Sequence, residues 1–235
     1  MTLRTLQIGT IAEALEKPFL MQQIAVVDDC SVFVYLCSGF VARHRHLSQD
    51  ELFYVYHGLL NFDTDWGRLA LKDDELTVIP RGLSHLSGAV VQSVVVRFAA
   101  ASDVDRKNGH GQVMADAQGA LLKRSLEREA HLLRAYAPLP VAQVDDMSLR
   151  FVSCEGATTW HRHPQHDELL WVREGSVSVD SEFGATVVGV DELVVIPREM
   201  RHRLESAERA LVVSLIHADV SPESQMGLEQ RTGPA

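Results

Sequence analysis

Two tandem copies of one all-β barrel or sandwich, joined by a helical linker, are what this sequence predicts. Three observations carry the prediction. Short runs rich in Val, Leu, Phe and Tyr, bounded by Asp, Gly or Pro, fill both halves of the chain, the pattern of antiparallel sheets. The halves repeat each other at a constant offset: Gly39 to Gly58 reads GFVARHRHLSQDELFYVYHG, and Gly156 to Gly175, 117 residues later, reads GATTWHRHPQHDELLWVREG. Between the two copies the apolar spacing changes from that of a strand to that of a helix.

Taken in order, residues 1–24 suggest only a short helix over Ile11–Lys17, ended by Pro18, whose ring cannot continue it. From Ala25 the strand-like runs begin: AVVDDCSVFVYLCSG, ELFYVYHG, LLNFDTDWG, RLALKD, ELTVIPRG and SVVVRF. Ala99–Gly111 is a polar connector. In Gln112–Tyr136, Leu122, Leu126, Ala130 and Leu133 share one helical face while Lys123, Arg124, Glu127 and Arg128 lie elsewhere, and Pro138 and Pro140 end the pattern. The strand runs then return in their first order: VDDCS is answered by VDDMS, the DEL at 50–52 by that at 167–169, and VIPRGLSH by VIPREMRH. Duplication of one β unit accounts for this. The expected domains are residues 1–110, a first barrel; 111–140, a linker helix; and 141–235, a second barrel with a frayed polar tail.

With 235 residues and 46% apolar content, each half is long enough to close its own core. A net charge of −10 without a Lys/Arg stripe argues against nucleic acid. No basic start with an apolar run, and no apolar run near ~20 residues, argues against secretion or a membrane span. Cys30, Cys37 and Cys154 show no CxxC spacing and suit a reducing cytoplasm. Cys37 and Cys154 lie 117 apart inside apolar runs, so both read as packing residues.

The chemistry concentrates in residues that recur in register. His44, His46, Glu51 and His85 are answered by His161, His163, Glu168 and His202, each 117 later. On a strand, alternate residues share a face, so His44 and His46 point the same way. Glu51 begins the next run and can meet them across a hairpin, while His85 arrives after a turn containing Gly82. Three imidazoles with one carboxylate suit a borderline divalent ion such as Fe, Mn, Ni, Cu or Zn, whereas Mg or Ca would take oxygen ligands. Their recurrence inside apolar runs, where unpaired His and Glu would be costly, favours a ligand set over a half-buried surface pair.

At these residues the sequence resembles the cupin superfamily. GFVARHRHLSQDELFYVYHG matches its first motif, G-x(5)-H-x-H-x(3,4)-E-x(6)-G, with one residue fewer before His44. Pro80-x-Gly82-x-x-His85 matches part of the second; Asp74 replaces its leading glycine, and in the other copy Glu199 replaces the turn glycine ahead of His202. The resemblance implies a double-stranded β-helix in each half and the eight residues above as metal ligands. The segments DTDWGRLALKDDELTVIPRG and DSEFGATVVGVDELVVIPRE are also similar, less specifically, to the homogentisate 1,2-dioxygenase family.

Beyond the ligands, His166 in HPQHDE could serve as a base or remain a solvent-facing loop residue, and Glu51 and Glu168 are the acidic candidates for catalysis. His57, answered by Glu174, reads as surface; Trp66 and Phe183 read as turn packing. Alternation assigns Ala42, Phe53 and Val55, with Thr159, Leu170 and Val172, to the walls beside the ligands. These walls lack an arginine, leaving Arg81, Arg198 or Arg201 to enter from loops. No GxSxG, Walker A or GxGxxG motif is present. The expectation is a cytoplasmic metalloenzyme, iron first with Mn, Ni, Zn or Cu as alternatives, that acts on a small aromatic diol, enol or hydroxy acid with O2. A redox-neutral isomerase or decarboxylase and a non-catalytic small-molecule binder are the alternatives. Two assemblies are open: a homodimer, or two barrels that satisfy each other.

Overall fold

The computed structural model describes residues 3–100, 107–108 and 119–221. It divides into two compact units, each given by its described residues. The N-terminal unit lies within Gly9–Glu129 and Ala142–Asp146; the C-terminal unit lies within Met1–Ile8, Ala130–Val141 and Met147–Ala235. The contiguous division expected at 110 and 140 is therefore not the division of the folded chain.

In the N-terminal unit the long strand His85–Ala100 organises the sheet. Cys30–Phe40 pairs along most of its length, Glu51–His57 pairs with its second half and Leu59–Thr64 with its first, all antiparallel. A strand that changes neighbours midway must bend. The register shifts at Cys37/Gly39 and Val55/His57 mark the place. Gly58 is required there, since its φ is +104° and a Cβ would lie 2.3 Å from the Ser93 hydroxyl. The curled sheet closes over a core that includes Tyr35, Phe53, Leu60, Phe62 and Val95.

The C-terminal unit repeats this plan. His202–His217 pairs with Met147–Ala157, Glu168–Glu174 and Val177–Ser181, with shifts at Cys154/Gly156 and Val172/Glu174. Its core includes Val152, Leu170, Val179, Val194 and Leu204. The copying extends to backbone strain. Among the described residues every position with positive φ recurs 117 later: Phe19 with Tyr136, Asp28 with Asp145, Asp74 with Asp191, Gly82 with Glu199, and three glycine pairs. Phe19 and Tyr136 each donate an amide hydrogen bond of 2.8 Å, to Leu36 and Ser153 respectively.

Two short strands exchange partners. Thr5–Gln7, ahead of the first copy, pairs with Glu192–Ile196 of the second. Arg124–Ser125, ahead of the second copy, pairs with Glu75–Ile79 of the first. Each is followed by a short helix, Ile8–Glu13 or Leu126–Glu129.

The helix expected over Ile11–Lys17 thus begins earlier. Among the described residues the linker helix is also much shorter than its periodicity suggests: four residues, then the 3-10 turn Ala130–Leu132. The reason is tertiary. Backbone at 122–125 is engaged by the strand Glu75–Ile79, with the Leu122 carbonyl accepting from Thr77, so a helix cannot start before Leu126, where Ser125 caps it. Of the predicted apolar face only Leu126 is buried, and Leu122 is 75% exposed. The polar connector and the first part of that helical pattern fall largely outside the described residues, as does the tail beyond 221.

All three cysteines are buried free thiols. Desolvation pushes Cys30 up to about 12 and Cys37 to about 11, which leaves both inert at neutral pH. Among the described residues, no helix is long and apolar enough to cross a membrane.

Candidate metal centres

The curl of each sheet brings the repeated His and Glu side chains inside. In the C-terminal unit His161 and His202 face each other across a bridge, each amide donating to the other's carbonyl at 2.9 Å. His163, two residues on, shares the face of His161, and Glu168 opens the next strand. One ligand atom from each of His161, His163, Glu168 and His202 lies within 4.8 Å of all the others. Glu168 Oε2 is 3.3 Å from His163 Nε2 and 3.7 Å from His202 Nε2.

Hydrogen bonding selects the tautomer. The Nδ1–H of His161 donates to the Thr159 carbonyl at 2.9 Å, and that of His202 to Met200 at 3.0 Å. Each Nε2 then keeps a lone pair aimed inward. The buried Nε2 of His161 has no hydrogen-bond partner, and those of His163 and His202 face only Glu168 Oε2, an arrangement that normally costs free energy and that a cation would relieve. Burial and the nearby His202 keep His161 below its ordinary pKa of 6.5, so it is neutral and able to ligate near pH 7. Burial alone would raise Glu168, but hydrogen bonds from His163 and His202 and their charges hold it well below the usual carboxylate range.

The N-terminal group has the same layout with a looser fit. His44 and His85 are register partners with ring centroids 4.4 Å apart, and their Nδ1–H groups donate to Ala42 at 2.9 Å and Leu83 at 3.1 Å. His44, Glu51 and His85 converge within 4.8 Å. His46 stands slightly back: its ring centroid is 6.4 Å from that of His85, against 5.6 Å for His163 and His202. Its Nδ1 is 3.0 Å from the buried Gln49 amide, and its Nε2 is 3.5 Å from Glu51 Oε2. His44, His46 and Glu51 line a cavity of about 40 Å³, with Phe19, Met21, Tyr35, Val41, Phe53, Ser87 and Arg97.

Three features of the surroundings differ from the sequence reading. Val41 lines the cavity while Ala42 is exposed, and likewise Thr158 is buried while Thr159 is exposed, because the chain leaves β geometry just before each HxH and alternation fails there. The walls do hold an arginine: Arg97, 3% exposed, donates from Nε to Glu51 Oε1 at 2.8 Å, with Nη2 at the same distance. The sign of it was a lone charged residue in the run SVVVRF, since a buried arginine must be paired. Arg81 and Arg198 instead brace loops, on Asp50 and Asp145 and on Asp167 respectively. Arg201 lies over Trp160, its guanidinium carbon 5.3 Å from the ring centre.

The turn before His202 holds its shape despite Glu199. This residue has φ +67°, close to the +81° of Gly82, and its amide donates to His163 at 2.9 Å, as that of Gly82 does to His46 at 2.6 Å.

His166 joins a separate group. Its ring stacks on His217 with centroids 4.1 Å apart and planes 13° apart, and both rings approach Asp219 Oδ1, at 3.3 and 2.7 Å. A bound metal lies in the plane of each imidazole that ligates it. Nearly parallel planes separated by a ring stack share no such point, so this group as arranged is a carboxylate-bridged pair and not a third centre. His57 is exposed and paired with Asp73.

A family model described as a cupin domain matches residues 152–217. An uncharacterized protein of Bacillus subtilis (strain 168), YdbB, is 30% identical over 83 residues, 35% of this chain and 74% of that protein. Solved structures resemble nearly the whole chain at low identity. Salicylate 1,2-dioxygenase from Pseudaminobacter salicylatoxidans matches with TM-score 0.70 and 11% identity over 95% of this chain and 86% of that one. A cupin 2 conserved barrel domain protein from Leptotrichia buccalis gives 0.65 and 11% over 92% and 97%. An oxalate decarboxylase variant from Bacillus subtilis gives 0.60 and 10% over 93% and 78%. Identities this low speak to the fold alone.

Proposed function

The chain belongs to the cupin superfamily, and from that premise we propose that it is a bicupin metalloenzyme, a dioxygenase of a small aromatic diol, enol or hydroxy acid. The observation that carries the reading is the convergence of His161, His163, Glu168 and His202 with buried imidazole nitrogens that lack other partners. These four would hold a divalent transition ion, iron in the first instance, and His44, His46, Glu51 and His85 a second. When bound, the ion supplies a Lewis acid and, as iron, a redox partner for O2.

The protein's part is positioning and exclusion. Carbonyls of Thr159 and Met200 fix two imidazoles in the ligating tautomer, and the Ser214 hydroxyl donates to Glu168 Oε1 at 3.1 Å, leaving Oε2 toward the centre. Among the positions that answer the N-terminal cavity walls, Tyr136, Val152, Leu170 and Leu204 are buried and would limit water on that side of the reacting group. One carboxylate on a divalent ion leaves about one positive charge at the C-terminal centre, which favours an anionic chelating substrate.

A relative in fold, the salicylate 1,2-dioxygenase, has been crystallised with gentisate, which makes hydroxybenzoates the first substrates to try. The test is O2 uptake by iron-loaded protein against hydroxybenzoates, catechols and hydroxy acids. Uptake should require Fe(II) and vanish in Glu168→Ala. The similarity to an oxalate decarboxylase favours a second reading, a redox-neutral decarboxylase. Metal-dependent turnover that persists without O2 would replace the first reading with the second.

A further inference from the structure

The two centres are copies, but the residue behind each carboxylate is not. In the N-terminal unit it is Arg97, and 117 positions later it is Ser214. Both sit on the long strand at equivalent register, Arg97 opposite Phe53 and Ser214 opposite Leu170. Both reach the same carboxylate atom. Arg97 donates to Oε1 of Glu51 at 2.8 Å, and Ser214 to Oε1 of Glu168 at 3.1 Å. In each case Oε2 is left facing the imidazoles, 3.2 Å from His85 in one and 3.3 Å from His163 in the other.

We infer that Arg97 makes the two centres unequal, giving the N-terminal one a weaker hold on a divalent cation, so that metal fills the C-terminal centre first. This rests on the reading of both groups as metal centres. A carboxylate that already shares its charge with a guanidinium is the poorer donor to a metal. The guanidinium is also a permanent positive charge on the far side of the carboxylate from the imidazoles, where low dielectric would enlarge its repulsion of a bound cation. Counting only the side chains bonded to each carboxylate, Glu51 and Arg97 cancel and a divalent ion there would keep a net charge of about +2, against about +1 beside Glu168.

The C-terminal unit has a buried arginine as well, but placed otherwise. Arg150 lies opposite Ser214 on the neighbouring strand, where the first copy has Phe33, and its charge is felt by Glu168. Its Nε donates to Ser148 at 3.2 Å and its Nη2 to the Val220 carbonyl at 2.6 Å, while the Glu168 carboxylate accepts from Ser214. The set-back of His46 acts in the same direction as Arg97. One effect opposes it: a hydrogen bond to the outer oxygen orients a ligand, and losing such bonds typically weakens metal binding ~10–100-fold. The two copies separate these effects, because Ser214 keeps the hydrogen bond without the charge.

The experiment is Mn(II) binding to the full, metal-free chain by equilibrium dialysis and calorimetry. Wild type should show two classes of site, the weaker lost in His46→Ala and the tighter lost in His163→Ala. Arg97→Ser should tighten the weaker class by about tenfold or more, worth about 1.4 kcal/mol per decade. Arg97→Gln, neutral and longer, serves if the serine variant does not fold, and Arg97→Lys, which keeps the charge, should not tighten it. Equal affinities in wild type, or an unchanged or weakened site in both neutral variants, would overturn the inference while the metal centres stand. No Mn(II), Fe(II) or Zn(II) bound at either site would instead overturn the metal reading on which it rests.

Discussion

Ile8 offers a test of how the C-terminal centre is supported, because it lies far from that centre in sequence and is linked to it through one strand, Glu192–Ile196. Its side chain is fully buried, its amide donates to the Asp191 carbonyl at 2.9 Å, and it follows the strand Thr5–Gln7 that pairs with Leu193 and Val194. The same strand, Glu192–Ile196, carries Glu168 on its other edge through the pair Glu168 and Ile196. Replacing a buried isoleucine by alanine costs about 2–5 kcal/mol, depending on how far the site can collapse. Taking ~3 kcal/mol, and ~2–4 °C per kcal/mol for a protein of this size, Ile8→Ala should lower the melting temperature by roughly 6–12 °C. The loss should be local. Hydrogen exchange should speed up at residues 192–196 and stay near wild type at 75–79, and metal affinity should fall only in the class lost in His163→Ala. Protection lost instead at 75–79, with 192–196 unchanged, would refute the exchanged arrangement of the short strands.

Three further outcomes are expected. Saturating a centre with Mn(II) or Zn(II) at ~100 times its dissociation constant should add about 2.7 kcal/mol of stability, read as a higher melting temperature that a chelator reverses. The metal-free protein should become more stable as pH rises from 3 to 7, followed by urea denaturation at each pH. Glu51 and Glu168 are held below their ordinary value, so their contribution is complete above about 4.5 and lost toward lower pH; His161 is also depressed, so below about 6.5 the unfolded chain binds the extra proton. Stability that falls with rising pH over this range would contradict those environments. Glu199→Gly should raise the urea midpoint slightly. It relieves ~1 kcal/mol of left-handed strain against ~0.5 kcal/mol of added unfolded-state entropy, and the exposed pair with Arg162 at 3.5 Å weighs little. A lower midpoint would mean the side chain has a role in the turn.

Six of the eight candidate ligands, the HxH pairs and the glutamates, stood out in the one-dimensional text because their geometry is local, whereas His85 and His202 stood out chiefly through their recurrence in register. Two histidines separated by one residue on a strand must share a face, and a glutamate opening the next strand of a hairpin must come near them. Duplication in register then weighed for a ligand set over the half-buried pair that a single HxH would have suggested. The all-β class was legible for a similar reason, since strand length, alternation and turn residues are properties of short windows.

What tertiary structure alone decided involves contacts between residues far apart in the chain. The periodicity of 112–136 looked helical, yet pairing with Glu75–Ile79 kept Arg124–Ser125 extended and, among the described residues, left a helix of four. Thr5–Gln7 carries no mark of belonging with Glu192–Ile196, because the edge that accepts a strand is made only when the rest of the sheet has formed. Arg97 was visible as a charge in an apolar run, but its partner Glu51 lies 46 residues away and meets it only once Glu51–His57 has paired with the long strand. Spacing along the chain determines which side chains share a face; closure of the sheet determines which faces meet, and the difference between the two centres arises at that second step.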